Sequence, residues 1–312
     1  MGNLWHVKNW FKVGRTFSWM MNFRTIGGLL NFFTDGKHFK RIPEKKHEYI
    51  LNYLRTEYSD LIEKYRAVPE TYDQPERHII WTLWWQGLDE APDVVKACIR
   101  SIERNAGNAE VVVLTKDNVG QYIDIPDYIL DKKGESFTFA HLADIIRFML
   151  LEKYGGLWLD ATMFAGHEIP ETVFQKPFYS LHTHWKDGMF VQHNLFHGFT
   201  LAALPHSKMV SFEKELFMRY WKDHDVLIDY YLVDYIMMLG YKEFEDVKAE
   251  MDGLDYTSER LYELVDILDK PYDEEHFNGL CAECLFSKLN WHIKYKTEAG
   301  GKPTYYAKLL SL

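Results

Sequence analysis

An α/β fold is what this sequence predicts, with strands in a parallel sheet and helices on its faces. Three observations carry that prediction. The run "EVVVLT" at residues 110–115 is short, continuous and apolar, the pattern of a strand buried on both faces. "RHIIWTLWWQG" at 77–87 is a second apolar run, and between the two lies "APDVVKACIRSIERNAG", apolar at helical spacing. "FAHLADIIRFMLLEKYGG" followed by "LWLDATMF" repeats the helix-then-strand order, and such alternation builds βαβ units. With 312 residues, 47% hydrophobic and 16% aromatic, the chain can bury a sizeable core around that sheet.

The elements follow in order. Residues 1–46 carry nine Lys/Arg against two acids, Asp35 and Glu44, a net of +7, which leaves −17 of the total −10 on the other 266 residues. The same segment holds Trp5, Trp10, Phe11, Phe17, Trp19, Phe23, Phe32 and Phe33. A basic, aromatic stretch suits an anionic membrane surface, and it equally suits an N-terminal helical extension packed on the domain. No run reaches the roughly 18 apolar residues of a spanning helix, and no secretory or myristoylation pattern is evident at "MGNLWH". "PEKKHEYILNYLRTEYSDLIEKY" reads as one or two helices, with Ile50, Leu51, Leu54, Leu61 and Ile62 on one face. The helix of 91–107 has Pro92 near its start, Val94, Val95, Cys98, Ile99 and Ile102 on its apolar face, and Asn105–Gly107 as its stop. Gly155 and Gly156 close the next helix, and residues 157–164 read as the strand after it. Beyond residue 167 the sequence suggests a strand pair in "KPFYSLHTHW", helices in "VSFEKELFMRYWKDH" and "IDYYLVDYIMMLGY", and a late strand in "WHIKYK". No linker marks a second domain, so residues 47–312 are expected to form one.

An acidic balance with pI near 5.8 excludes a general nucleic-acid binder. Three cysteines are too few for a disulfide framework, so a reducing, cytoplasmic setting is expected. Cys281 and Cys284 form a lone C-x-x-C, weak grounds for zinc. His182 and His184 fall on one side of the expected strand pair, as a metal pair would, although a satisfied histidine is the commoner outcome.

Chemistry is expected at the carboxyl ends of the strands, where open α/β sheets bind ligands, and Trp84, Trp85 and Asp160 fall there. Asp144 and Arg147, at i and i+3, share a helical face bordered by Leu142, Ile145, Ile146, Met149 and Leu150. A partly buried Asp–Arg pair near a strand-end Asp makes a polar cluster able to hold the hydroxyls of a ligand. Gly155 and Gly156 permit close approach of backbone to a ligand, and Asp160 can face a cation bound to phosphate. Asp229 and Asp234 in "DYYLVDY" stand out less, their ordinary reading being solvated helix carboxylates.

"ADIIRFMLLEKYGGLWLDATMF" resembles the core motif of the glycosyltransferase group that includes the bacterial capsular polysaccharide synthesis proteins, the yeast-type initiating α-mannosyltransferases and, more distantly, the glucosylating clostridial toxins. That motif is a helix with Asp-x-x-Arg, a Gly-Gly turn, and a strand ending in Asp-x-Asp. "RHIIWTLWWQGLDEAPDVVKACIRSI" is similar to the group's opening segment, and together the likeness covers roughly residues 76–185. The resemblance implies a GT-A fold with a Rossmann-like mixed sheet, a nucleotide-sugar core in 76–185 and an acceptor side in 186–312. It implies a retaining transferase that moves a sugar, from a UDP-sugar by family habit, to a bacterial surface polysaccharide or lipid-linked oligosaccharide; the basic, aromatic N-terminal segment would suit an acceptor held at the inner membrane face, in the cytoplasm. By position it implies that Trp84 stacks on the base, that Asp144 and Arg147 contact ribose and donor sugar, and that Asp160 is the first Asp of Asp-x-Asp. The catalytic set is then Asp160, Asp144 and Arg147, with Gly155, Gly156 and Thr162 completing the donor site and Asp234 orienting the acceptor. Thr162 stands where the second Asp is expected, which leaves a Mn²⁺ or Mg²⁺ on Asp160 in question. Without metal, Lys288, Lys294, Lys296 and Lys302 are candidate cations for the leaving diphosphate. Thr162 also motivates a second reading, a non-catalytic nucleotide-sugar-binding scaffold.

Overall fold

The computed structural model describes residues 10–17, 41–134, 136–184 and 190–312. Most of the basic N-terminal segment therefore lies outside the described residues, as does Trp185 of "LHTHW". Residues 10–16 are helical (α1); Val13 is buried, and Phe17 meets the rings of Tyr53 and His224 at 5.2 Å each. That portion packs on the protein. No helix among the described residues is long and apolar enough to cross a membrane.

The "one or two helices" are two, α2 (Arg41–Glu57) and α3 (Ser59–Arg66). Strand β1 (Ile79–Leu83), helix α4 (Asp93–Asn105) and strand β2 (Glu110–Leu114) follow as the apolar spacing predicts. Helix α5 (Phe139–Tyr154) then leads into β3 (Gly156–Leu159). These strands join β5 (Phe178–Ser180) and β6 (Thr200–Ala203) in one sheet of order β2-β1-β3-β6-β5. Pairing is parallel among β2, β1 and β3 and antiparallel across β3–β6 and β6–β5. The sheet is mixed, as the resemblance implies and as the helix–strand alternation alone does not. Helix α6 (Lys208–Asp223) packs on α5, and α7 (Leu232–Glu243) packs on α6.

Three expectations need correction. The strand read over 157–164 is two strands: β3 ends at Leu159, Asp160–Thr162 form a turn, and β4 (Met163–Ala165) pairs antiparallel with β7 (Phe286–Lys288) in a separate ladder. The turn forms because the Asp160 carbonyl accepts from Met163 N (2.8 Å) while Asp160 N–H donates to Phe199 O (2.9 Å). "WHIKYK" is an exposed turn just past β7, which is the late strand. "KPFYSLHTHW" supplies only β5, with His182 in an isolated bridge to Tyr256.

The glycine pair has a packing role. Gly155 takes φ +65° and ends α5, and a Cβ there would lie 2.7 Å from Pro205. A Cβ on Gly156, at φ +99°, would lie 2.4 Å from the carbonyl oxygen of Ile79. Both glycines let β3 close against its own neighbours, Gly156 standing about 13 Å along the strand from Asp160. What comes close to their backbone is β1 and the chain after β6.

Candidate active site

Because β1 and β3 run parallel, their carboxyl ends lie side by side, and the chain leaves them through Trp84 and Asp160. Both residues line a cavity of 420 Å³, together with Asp144, Arg147, Thr162 and Asp234. Its mouth carries Tyr230, Tyr231, Tyr262 and Trp291, all substantially exposed. Trp84 meets Trp291 edge-on at 5.5 Å, and the indole Nε1 of Trp84 is buried without a hydrogen-bond partner.

Charge in this cavity is organised by Arg147, which is 4% exposed. One guanidinium nitrogen donates to Asp144 Oδ1 at 3.0 Å, another to Asp160 Oδ1 at 3.1 Å, and the group lies 5.0 Å over the Trp158 ring. Trp158 Nε1 adds a 3.0 Å bond to the same Asp160 oxygen, and Lys288 Nζ donates to Asp160 Oδ2 at 2.9 Å. Burial works to raise the Asp160 pKa, but Lys288 and Arg147 more than offset it and hold the carboxylate below its usual range. The lone carboxylate at the end of β3 is thus ionised and partnered on both oxygens.

Behind it lies a group of carboxyls on the opposite footing. Burial raises Asp144 to about 7 and Asp234 to about 8, with Arg147 opposing in both cases. Glu213 on α6 is fully buried, neither of its oxygens has a partner, and burial pushes its pKa well up, followed by the charges of Asp234 and Asp144. Asp144 Oδ2 is 3.7 Å from Nδ1 of His141, whose other ring nitrogen accepts from Trp221 Nε1 at 3.0 Å. That bond puts the ring proton on Nδ1, facing Asp144, while burial lowers the His141 pKa to about 3 and keeps the ring neutral. Asp234 is accordingly no solvated carboxylate; at 6% exposure it is part of the cavity wall.

Of the four lysines named from the sequence, Lys288 alone reaches Asp160; Lys294, Lys296 and Lys302 are exposed on the segment after β7. His182 and His184 do not pair on a metal: His184 stacks on Tyr256 at 3.9 Å, and neither lines the cavity. Cys281 and Cys284 are free thiols beside α4 and α8 (Glu263–Ile267), away from it. Glu213 and the aromatic mouth are what sequence reasoning missed. For Glu213 a signal existed, since it falls among Met209, Phe212, Leu216, Phe217 and Tyr220 on the apolar stripe of its helix.

The family model for capsular polysaccharide synthesis proteins matches residues 31–309. The chain belongs to that family. No curated protein matches it. Among solved structures it is similar to the PaToxG glycosyltransferase, at 12% identity and TM-score 0.35, over 68% of this chain and 82% of that one. The apo bifunctional glycosyltransferase WbbM is similar at 12% identity and TM-score 0.42, over 78% of this chain and half of that one. The galactosyltransferase LgtC, in complex with donor and acceptor sugar analogs, is similar at 10% identity and TM-score 0.33, over 75% and 95%.

The residues of this capsular synthesis protein do not fit a divalent metal centre at Asp160. Thr162 brings no charge, both Asp160 oxygens already accept from cationic donors, and among the described residues no three His, Cys, Asp or Glu gather to ligate a metal. A dication on Asp160 would also meet the Lys288 ammonium. Two unit charges 4 Å apart interact by about 4 kcal/mol at an effective dielectric near 20, and a dication doubles that repulsion.

Proposed function

We propose that this protein is a retaining GT-A-type glycosyltransferase that takes a sugar from a nucleotide-diphosphate sugar, UDP-linked by preference. The acceptor is a bacterial surface polysaccharide or lipid-linked oligosaccharide. The observation that carries the reading is that Trp84 and Asp160, at the ends of adjacent parallel strands, share one cavity with the Asp144–Arg147 pair. Family membership supports the product class, and the resemblance of residues 76–185 supports retention and the donor.

In this reading Trp84 offers its ring to the base and its unpartnered indole N–H to a polar atom of the nucleotide. Asp144 and Arg147 hold ribose and donor-sugar hydroxyls, and Thr162 closes the donor wall. Breaking the sugar–phosphate bond builds positive, oxocarbenium-like charge on the ring and negative charge on the diphosphate. The ionised Asp160 faces the first of these. Asp234 orients the acceptor, and the aromatic mouth gives its sugar rings apolar faces to stack on. Residues 47–312 act as one domain, donor side in 76–185 and acceptor side in 186–312, with the basic N-terminal segment holding the protein at the inner membrane face.

The test is a thermal-shift panel of UDP- and GDP-sugars followed by assay of nucleotide release with and without capsular oligosaccharide. A raised melting temperature with one donor and acceptor-dependent release are expected. No shift with any donor refutes the reading. Binding without release or transfer favours the scaffold reading, and an unchanged rate in Asp160→Ala removes Asp160 from the chemistry.

A further inference from the structure

A diphosphate in the cavity needs counter-charge, and the ladder outside the main sheet brings it. Lys288 is the last residue of β7, paired with Met163 of β4, and the next residue, Leu289, donates its N–H to the Thr162 carbonyl at 2.9 Å. The backbone at the C-terminal end of the Asp160–Thr162 turn therefore fixes where Lys288 stands, 128 residues beyond Asp160 along the chain. Its ammonium sits 2.9 Å from Asp160 Oδ2 and 4.6 Å from the centre of the Phe199 ring, and Phe199 lines the cavity. Arg147 approaches Asp160 through the other oxygen. Asp160 is thus flanked by two cations; its side chain lines the cavity and is 32% exposed, while Lys288, 20% exposed, stands just outside the lining, within reach through Asp160 and Phe199.

Resting on the nucleotide-sugar reading, we propose that Lys288 holds the donor's diphosphate where a metal ion would otherwise stand, with the Arg147 charge on the far side of Asp160 adding to the positive field, so that nucleoside diphosphates bind without divalent metal. A lysine ammonium is a compact charge on a flexible stem with three donors, able to keep Asp160 and reach a phosphate oxygen together. The buried guanidinium supplies a second, fixed charge. Thr162, neutral where a second carboxylate would repel the diphosphate, fits this arrangement. Asp160 keeps the ammonium in place when the donor is absent.

The experiment is isothermal titration calorimetry of the full chain with UDP and with GDP, each in EDTA and in Mn²⁺, beside uridine and guanosine as controls lacking phosphate. Wild-type affinity for the preferred diphosphate is expected to agree within about twofold between EDTA and Mn²⁺. Lys288→Ala is expected to weaken it about tenfold or more while leaving nucleoside affinity unchanged, and Lys288→Arg to restore most of it. The nucleoside control separates loss of a phosphate contact from collapse of the site; if Lys288→Ala fails to fold, Lys288→Gln takes its place with the same loss expected, and the EDTA comparison tests metal independence on the wild type. Binding by the wild type that requires Mn²⁺, or equal diphosphate affinity in Lys288→Ala, overturns the proposal while leaving the donor reading standing. No binding of either diphosphate in any condition overturns the donor reading and this assignment with it.

Discussion

Asp234→Asn tests whether the cavity wall stores a proton. In the folded protein burial raises the Asp234 pKa from 3.8 to about 8, so the native state keeps a proton that the unfolded chain loses above pH 4. Stability contributed by this group is then complete below the unfolded pKa, falls as pH rises from about 4 to 8, and is level beyond. A displacement of about four units at about 1.4 kcal/mol each sets a ceiling near 6 kcal/mol. Asp234 lies in the first turn of α7, where the helix terminus favours a carboxylate by about 0.5–1 kcal/mol, and cavity water trims the penalty further. We expect an effect of about 3–5 kcal/mol. An asparagine cannot titrate, so urea unfolding of both proteins from pH 5 to 9 should show the variant gaining on the wild type with rising pH, then running parallel above pH 8. A gap that stays constant across that range, or that closes as pH rises, refutes the buried-proton account.

Arg147→Met should lower stability by about 3–5 kcal/mol, because it strands Asp144 and Asp160 without their shared cation; a loss below about 1 kcal/mol in urea would show that Lys288 and Trp158 suffice. Gly156→Ala should cost about 2 kcal/mol or more, since a Cβ there meets the Ile79 carbonyl at φ +99°, and an unchanged melting temperature would contradict the tight β1–β3 closure. Trp84→Ala should cut nucleoside diphosphate affinity by about ten- to a hundredfold through lost base stacking, measured by calorimetry, with little change in melting temperature because Trp84 is only half-buried.

The α/β class, the helix carrying Asp144 and Arg147, and the strands ending at Trp84 and near Asp160 were legible because each depends on the period of its own apolar residues. The glycine pair was visible as a helix stop, yet its close contacts are with Ile79 and Pro205, residues no local pattern connects to it. The break at Asp160–Thr162 was hidden because β3 and β4 read as one apolar run, and only pairing with β7 takes Met163 out of the sheet. Asp234 looked like a surface carboxylate since "DYYLVDYIMMLGY" is apolar nearly all round and shows no polar face from which burial could be judged.

Local periodicity was thus enough by itself to determine the α/β class, and the resemblance carried by the Asp-x-x-Arg, Gly-Gly, Asp order pointed to the family and to the strand end where the proposed site lies. Which lysine meets Asp160 was beyond them, because four lysines within fifteen residues have equal local claims and the choice is made by a ladder joining positions 163 and 288. The ionisation of the carboxyls was also decided by tertiary structure alone: desolvation and the reach of one buried guanidinium set whether each keeps its charge, and neither exists until the chain has folded.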